Sequence, residues 1–142
     1  MNVARFAICV LIAVIPWGCG PKIEPLTSCP EGARLTGSAP PEGEQQRCMK
    51  GGDRHGPSRS WYKNGRVRAE TEWWEGTKHG SFTLWYENGQ KRAEGEDWHG
   101  QAMGTWTYWD EEGNVLQQRS FEPPPEAVAE STAAAGDPPE AD

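Results

Sequence analysis

Aliphatic side chains are nearly missing from the middle of this chain. Between Gly56 and Phe121 the only valine or leucine residues are Val67, Leu84, Val115 and Leu116, whereas seven of the eight tryptophans fall there. An ordinary aliphatic core is excluded, so aromatic rings must carry the packing. Each ring buries roughly 150–250 Å², which at about 25 cal/mol per Å² contributes about 4–6 kcal/mol as an upper bound. Also missing are a Cys-x-x-Cys pair, a Gly-rich phosphate loop, a Gly-x-Ser-x-Gly elbow and a metalloprotease motif. The sequence therefore offers no catalytic residue, no cofactor site and no metal site, and an enzyme is not expected.

A surplus of basic charge is lacking too. The net charge of -7 comes almost wholly from residues 122–142, which hold six acids and no Lys or Arg; residues 56–121 hold eight Lys or Arg against ten Asp or Glu. A balanced, interspersed surface gives no reason to expect nucleic acid as a partner. The 122–142 stretch, with Pro123-Pro124-Pro125 and Ala133-Ala134-Ala135, has the composition of a disordered acidic tail.

What is present is one unit written three times. Gly-Pro-Ser-Arg-Ser-Trp-Tyr-Lys-Asn-Gly begins at Gly56, Gly-Ser-Phe-Thr-Leu-Trp-Tyr-Glu-Asn-Gly at Gly80 and Gly-Thr-Trp-Thr-Tyr-Trp-Asp-Glu-Glu-Gly at Gly104, a period of 24 without slippage. Within each unit the alternation is that of a strand: Phe82, Leu84 and Tyr86 fall on one face, Ser81, Thr83 and Trp85 on the other. Asn64-Gly65 and Asn88-Gly89 follow at once, a pairing that signals a type I′ hairpin turn because both positions need positive φ. Return strands are predicted over Val67 to Trp74 and Lys91 to Trp98, closed by Glu75-Gly76 and His99-Gly100. The fold class expected is all-β: an antiparallel meander of three repeated hairpins over 56–121, with no place for a helix in it.

The spacing Gly-x-aromatic-x-x-aromatic-Tyr-x-Asn-Gly, followed by Ala-Glu-Gly and a further Gly, resembles the bacterial variant of the MORN repeat; in the second unit the matching residues are Gly80, Phe82, Trp85, Tyr86, Asn88, Gly89, Ala93, Glu94, Gly95 and Gly100. Many chains with this repeat resemble the YwqK-type antitoxin family, and others look like secreted or lipid-anchored envelope proteins. The resemblance implies a repetitive hairpin sheet that works by binding, without implying a substrate. The first unit departs at Ser58 and Ser60, the third at Asp110 and Glu112.

Residues 1–18 read as a signal peptide: Arg5 supplies the positive end and Phe6 to Ile15 an apolar run of ten, short of the roughly 18–20 residues that span a bilayer. Gly18 and Gly20 would suit signal peptidase I, but Pro21 would then follow the cut. Ile15-Pro16-Trp17-Gly18-Cys19 instead resembles a bacterial lipobox, departing at Pro16 and Trp17. That resemblance implies lipidation of Cys19 as the mature N-terminus, with 19–28 a lipid-anchored tether and the protein held at the membrane of the cell envelope.

With Cys9 in the leader and Cys19 acylated, Cys29 and Cys48 remain; an exported chain would pair them, the alternative being two free thiols. Such a loop contributes roughly 3 kcal/mol. Arg34 to Thr36 and Gln45 to Met49 could flank its Gly37 to Gly43 turn as short strands, making 29–55 a disulfide-closed N-terminal cap on the array.

The candidate binding surface is the ladder Trp61, Trp85 and Trp109, with Arg59, Lys63 and Lys91 nearby. On a flat sheet these rings stand exposed opposite Phe82, Leu84, Trp106 and Tyr108; a rolled sheet would bury both faces. His55 and His79 recur at 24 as part of a turn, and Glu70, Glu72, Glu94 and Glu96 recur opposite Arg and Lys as cross-strand charge pairs. The partner expected is an unknown protein or polysaccharide of the envelope. The alternative is an antitoxin or immunity protein that neutralises a toxin by direct binding.

Overall fold

The computed structural model describes residues 24–134. Residues 1–23, which hold the expected signal peptide, Cys19 and the start of the expected tether, and residues 135–142 lie outside the described residues.

Eight antiparallel strands form one sheet in sequence order: β1 (Arg34–Ser38), β2 (Gln45–Lys50), β3 (Asp53–Trp61), β4 (Val67–Trp74), β5 (Thr77–Trp85), β6 (Lys91–Trp98), β7 (Gln101–Trp109) and β8 (Val115–Phe121). The meander is as the 24-residue period requires, with β3–β4, β5–β6 and β7–β8 as the three repeats. Cys29 and Cys48 are joined, their Cα atoms 5.6 Å apart. The bridge lashes Glu24–Cys29 across β2 and β3, where the Leu26 amide donates to Gln46 Oε1 at 2.8 Å and Arg59 donates to the Glu24 carbonyl.

The hairpin turns differ from expectation. Asn64 does not take positive φ; Gly65 does, at 81°. Gly65 donates to the Tyr62 carbonyl at 2.9 Å and Tyr62 to the Arg66 carbonyl at 2.8 Å. This is the three-residue loop in which a type I turn is followed by a left-handed glycine. Type I′ geometry sits instead at the other ends of the strands, where Glu75 (47°) precedes Gly76 (83°) and His99 (45°) precedes Gly100 (83°). Their counterpart in the cap is Gly51-Gly52, with both residues at positive φ.

A side chain in the left-handed region costs about 1–2 kcal/mol that glycine does not incur. Glu75→Gly is therefore expected to raise stability by up to about 1 kcal/mol, part of the relief being offset by the greater freedom of glycine in the unfolded chain. A thermal melt followed by circular dichroism measures it; an unchanged or lower midpoint would refute the strain.

Two bulges recur in every repeat. The return strand carries one residue with no Cα partner: Ser60 pairs with Ala69 but Trp61 with Val67, leaving Arg68 over, and Arg92 and Leu116 are left over in the same way. The first strand carries two extra residues near Gly56, Gly80 and Gly104. Gly80, at φ 98°, has the Glu72 carboxylate where a Cβ would point. Bulges of this kind raise the local twist and re-aim side chains.

Within the stretch whose composition implied disorder, residues 125–134 form a helix. Helix α1 spans Pro125–Ala134, its start set by the Pro124 carbonyl, which accepts from the amides of Ala127 (2.9 Å) and Val128 (3.3 Å). Proline at the first helical position, Glu126 in the first turn and a run of alanines supply local helix preference that low complexity had masked. Ala127 is buried.

Candidate functional site

Each turn is fastened to the next. The Tyr62 hydroxyl donates to the Trp85 carbonyl at 2.8 Å, and the Tyr86 hydroxyl to the Trp109 carbonyl at 2.9 Å. Asn64 Nδ2 donates to the Glu87 carbonyl at 3.1 Å and Asn88 Nδ2 to the Glu111 carbonyl at 2.8 Å, while each Oδ1 accepts from its own turn at 2.9 Å. The Tyr-x-Asn-Gly signature is thus an inter-repeat fastener. The third repeat has no following repeat to reach, and there Asp110 and Glu112 replace Tyr and Asn. Asp110 closes its own turn by accepting from the Asn114 side chain and the Asn114 and Glu112 amides; these bonds, the Asn114 side chain foremost, hold its carboxyl below the usual carboxylate range.

The tryptophan ladder does not stand on an open face. Trp61 (0% exposed), Val67 (1%) and Trp85 (9%) make the hydrophobic core beside these turns, with Ala39 of the β1–β2 loop packed on them. Trp109 is half-buried. Strict alternation does not foresee the bulge that the return strand makes opposite each ladder residue, at Arg68 beside Trp61 and at Arg92 beside Trp85, which raises the local twist there. The charged neighbours are not grouped into one site either. Arg59 is tied to Glu70 and to the Glu24 carbonyl, Lys91 Nζ lies 2.7 Å from Glu94 Oε1 on its own strand, and Lys63 projects from a turn. Arg59–Glu70 is a cross-strand pair of the expected kind; Lys91–Glu94 is not.

The registers divide the side chains into two faces. One carries the row Arg59, Glu70, Thr83, Glu94, Thr107 and Gln118, a row that is polar throughout. The other carries Ser60, Ala69, Leu84, Ala93 and Tyr108 in one row, and Ser58, Thr71, Phe82 and Gly95 in the next. Here the aromatic rings gather. Phe82 and Trp106 lie 5.4 Å apart and Trp106 and Tyr108 6.4 Å apart, measured between ring centres. Trp73 joins them by donating Nε1 to Ser58 Oγ at 2.8 Å. Arg54 covers the Trp73 ring at 4.4 Å and Lys78 the Phe82 ring at 4.5 Å.

Among the described residues the strands lie against their sheet neighbours. On this face Ser58, Ser60, Thr71 and Ala93 are buried and Trp106 is buried over Gly95, while Trp73, Phe82, Leu84 and Tyr108 remain half-buried. Of the residues that alternation assigned to a core face, Trp106 is buried and Phe82, Leu84 and Tyr108 keep part of their surface open. Trp73, with its cation, escaped the sequence reading; its spacing of two from Thr71 on a return strand was the available signal.

The histidines belong to the opposite ends of the strands. His55 stacks on Trp74 and His79 on Trp98, each at 4.4 Å and 43°, one period apart. His99 meets Trp98 edge-on at 5.2 Å. His55 and His79 lie within β3 and β5 rather than in the expected turn, and their recurrence is that of a packing layer. Among the described residues no three His, Cys, Asp or Glu side chains are grouped to hold a metal ion.

No curated protein and no solved structure matches the chain. Residues 54–75, 78–96 and 104–122 each match the family model described as MORN repeat variant, one match on each of the hairpins β3–β4, β5–β6 and β7–β8.

Proposed function

We propose that this chain is a non-enzymatic binding module of the cell envelope, lipid-anchored through Cys19, which presents its repeat sheet to a protein or polysaccharide partner. The observation that supports it is the aromatic face of the sheet, on which Trp73, Phe82, Leu84 and Tyr108 keep part of their surface open, with Arg54 and Lys78 lying over two of the rings. Partly open aromatics grouped on one face suit a recognition surface, and cations over rings add points of polar contact at its margin. The Cys29–Cys48 bridge supports export, since disulfides persist in oxidising compartments.

Two measurements test this reading. The intact mass of the protein from its own cells is expected to begin at Cys19 with added acyl groups and to rise by about two mass units on reduction as the disulfide takes up two hydrogens. A full-length chain with free thiols would refute export. A photo-crosslinking amino acid at Leu84 is expected to capture a discrete partner in intact cells, whereas one at Thr83, adjacent but on the polar face, is not. Equal capture from both positions, or none from Leu84, would refute the surface.

A further inference from the structure

The two edges of the sheet are built differently. β1 has five residues, turns sharply at Gly37 (φ 81°) and is anchored beside the Cys29–Cys48 bridge; a Cβ at Gly37 would stand 2.1 Å from the Gln45 carbonyl oxygen. Short, kinked edges of this kind resist the addition of a strand. β8 has seven residues, no Gly or Pro and a single charge, Arg119. Every residue from Val115 to Ser120 is exposed, Val115 by 56% and Leu116 by 65%, and among the described residues no strand pairs with its outer side.

The repeats show what β8 has lost. At equivalent positions β4 carries Arg68, Glu70 and Glu72, and β6 carries Arg92, Glu94 and Glu96; β8 carries Leu116, Gln118 and Ser120. The two interior strands, whose backbones are paired on both sides, keep the charges. The strand with a free edge has shed them. Edge protection works the other way round, so this pattern marks an edge that is meant to be paired.

We propose that β8 pairs antiparallel with β8 of a second copy about a two-fold axis at Gln118, joining two eight-stranded sheets into one. The residue on such an axis faces its own copy. A glutamate, as at Glu70 and Glu94, would set two carboxylates against each other; the Gln118 amide offers a donor and an acceptor to its twin. In this register Gln117 faces Arg119 of the second copy, Leu116 faces Ser120 and Val115 faces Phe121. It also uses the backbone positions that interior return strands use, since Ala69, Glu70 and Thr71 of β4 pair with Leu84, Thr83 and Phe82 of β5. Pairing of β8 with β1 would instead propagate an open filament, which the kink at Gly37 opposes. The proposal is independent of the partner-binding reading, because the aromatic face stays open in the dimer.

The test is sedimentation of the protein purified from its own cells over a concentration series, in detergent so that neither an acyl anchor at Cys19 nor a retained Phe6 to Ile15 run itself associates. A closed dimer is expected, and Gln118→Glu is expected to raise its dissociation constant at least about tenfold while the circular dichroism spectrum stays that of the wild type. Gln118→Cys is expected to give a covalent dimer on oxidation, which Lys63→Cys does not. A monomer at every concentration, growth to open polymers, or a dimer indifferent to Gln118→Glu would each overturn the proposal. If Gln118→Glu disturbs the fold, the crosslink decides, and its failure to form refutes the axis.

Discussion

Trp61→Ala is expected to cost about 3–5 kcal/mol, the range for removing a large aromatic from a packed core. Trp61 is wholly buried, and its neighbours Val67 and Trp85 cannot close over the space because bulged strands on either side fix their backbones. A domain of this size holds about 5–15 kcal/mol in all, so the loss is a large fraction of the total. At about 4–8 °C per kcal/mol for a small domain, the melting midpoint should fall by at least about 12 °C. Trp74→Ala is the control. Trp74 is 47% exposed and stacks mainly on His55, so its loss should cost well under half as much. Equal effects at the two positions would remove Trp61 from the core, and a silent Trp61→Ala would restore the exposed ladder that simple alternation implies.

The outcome at Trp61 also marks how far the sequence can be read. The 24-residue period determined strand order, the limits of the return strands and the meander, because hairpin connectivity and pleat both follow from local pattern, whereas the first strands begin three residues ahead of the expected Gly56, Gly80 and Gly104, at Asp53, Thr77 and Gln101. The period alone did not separate core from surface. That division depends on one leftover residue per return strand, Arg68, Arg92 or Leu116, and such a bulge leaves no compositional trace.

The turns were misjudged for a related reason. Asn64 and Asn88 were matched to a local rule for positive φ, but their role is non-local: each donates across to the next repeat. A residue that satisfies two explanations cannot be assigned between them from sequence. Glu75 and His99, which do adopt positive φ, are not residues a turn rule would select. Loss of the Tyr and Asn pair at Asp110 and Glu112 was visible as a departure from the repeat. Its cause, the end of the chain of fasteners, needed the carbonyls of Trp109 and Glu111 to be seen receiving the bonds of the second repeat.

Gly95→Ala is expected to be nearly as damaging as the loss of Trp61, although it adds only a methyl group. Gly95 lies mid-strand in β6 with no unusual φ, so its backbone would accept any residue. Space is what forbids one. A Cβ there would stand 2.3 Å from Trp106 Cδ2 and 2.4 Å from Cε2, because the indole lies flat over the glycine. Those are atoms of the rigid ring rather than the tip of a flexible chain, so the ring must leave. It would then lose its burial, its bond from Nε1 to the Glu96 carbonyl at 3.1 Å and its contact with Phe82. Overpacking and ring exposure together should cost about 2–4 kcal/mol. One period earlier Thr71 occupies the position of Gly95 and Phe82 that of Trp106, so a larger residue at the strand position is exchanged for a smaller ring over it. The same exchange supplies the test. In a Trp106→Ala background the obstacle is gone, and Gly95→Ala should become neutral or mildly stabilising, since alanine restricts the unfolded chain more than glycine does. A coupling of at least about 2 kcal/mol between the two sites is expected from the double-mutant cycle by urea denaturation. Additive effects would show that Gly95 acts on its backbone alone, and that Trp106 is not seated on it.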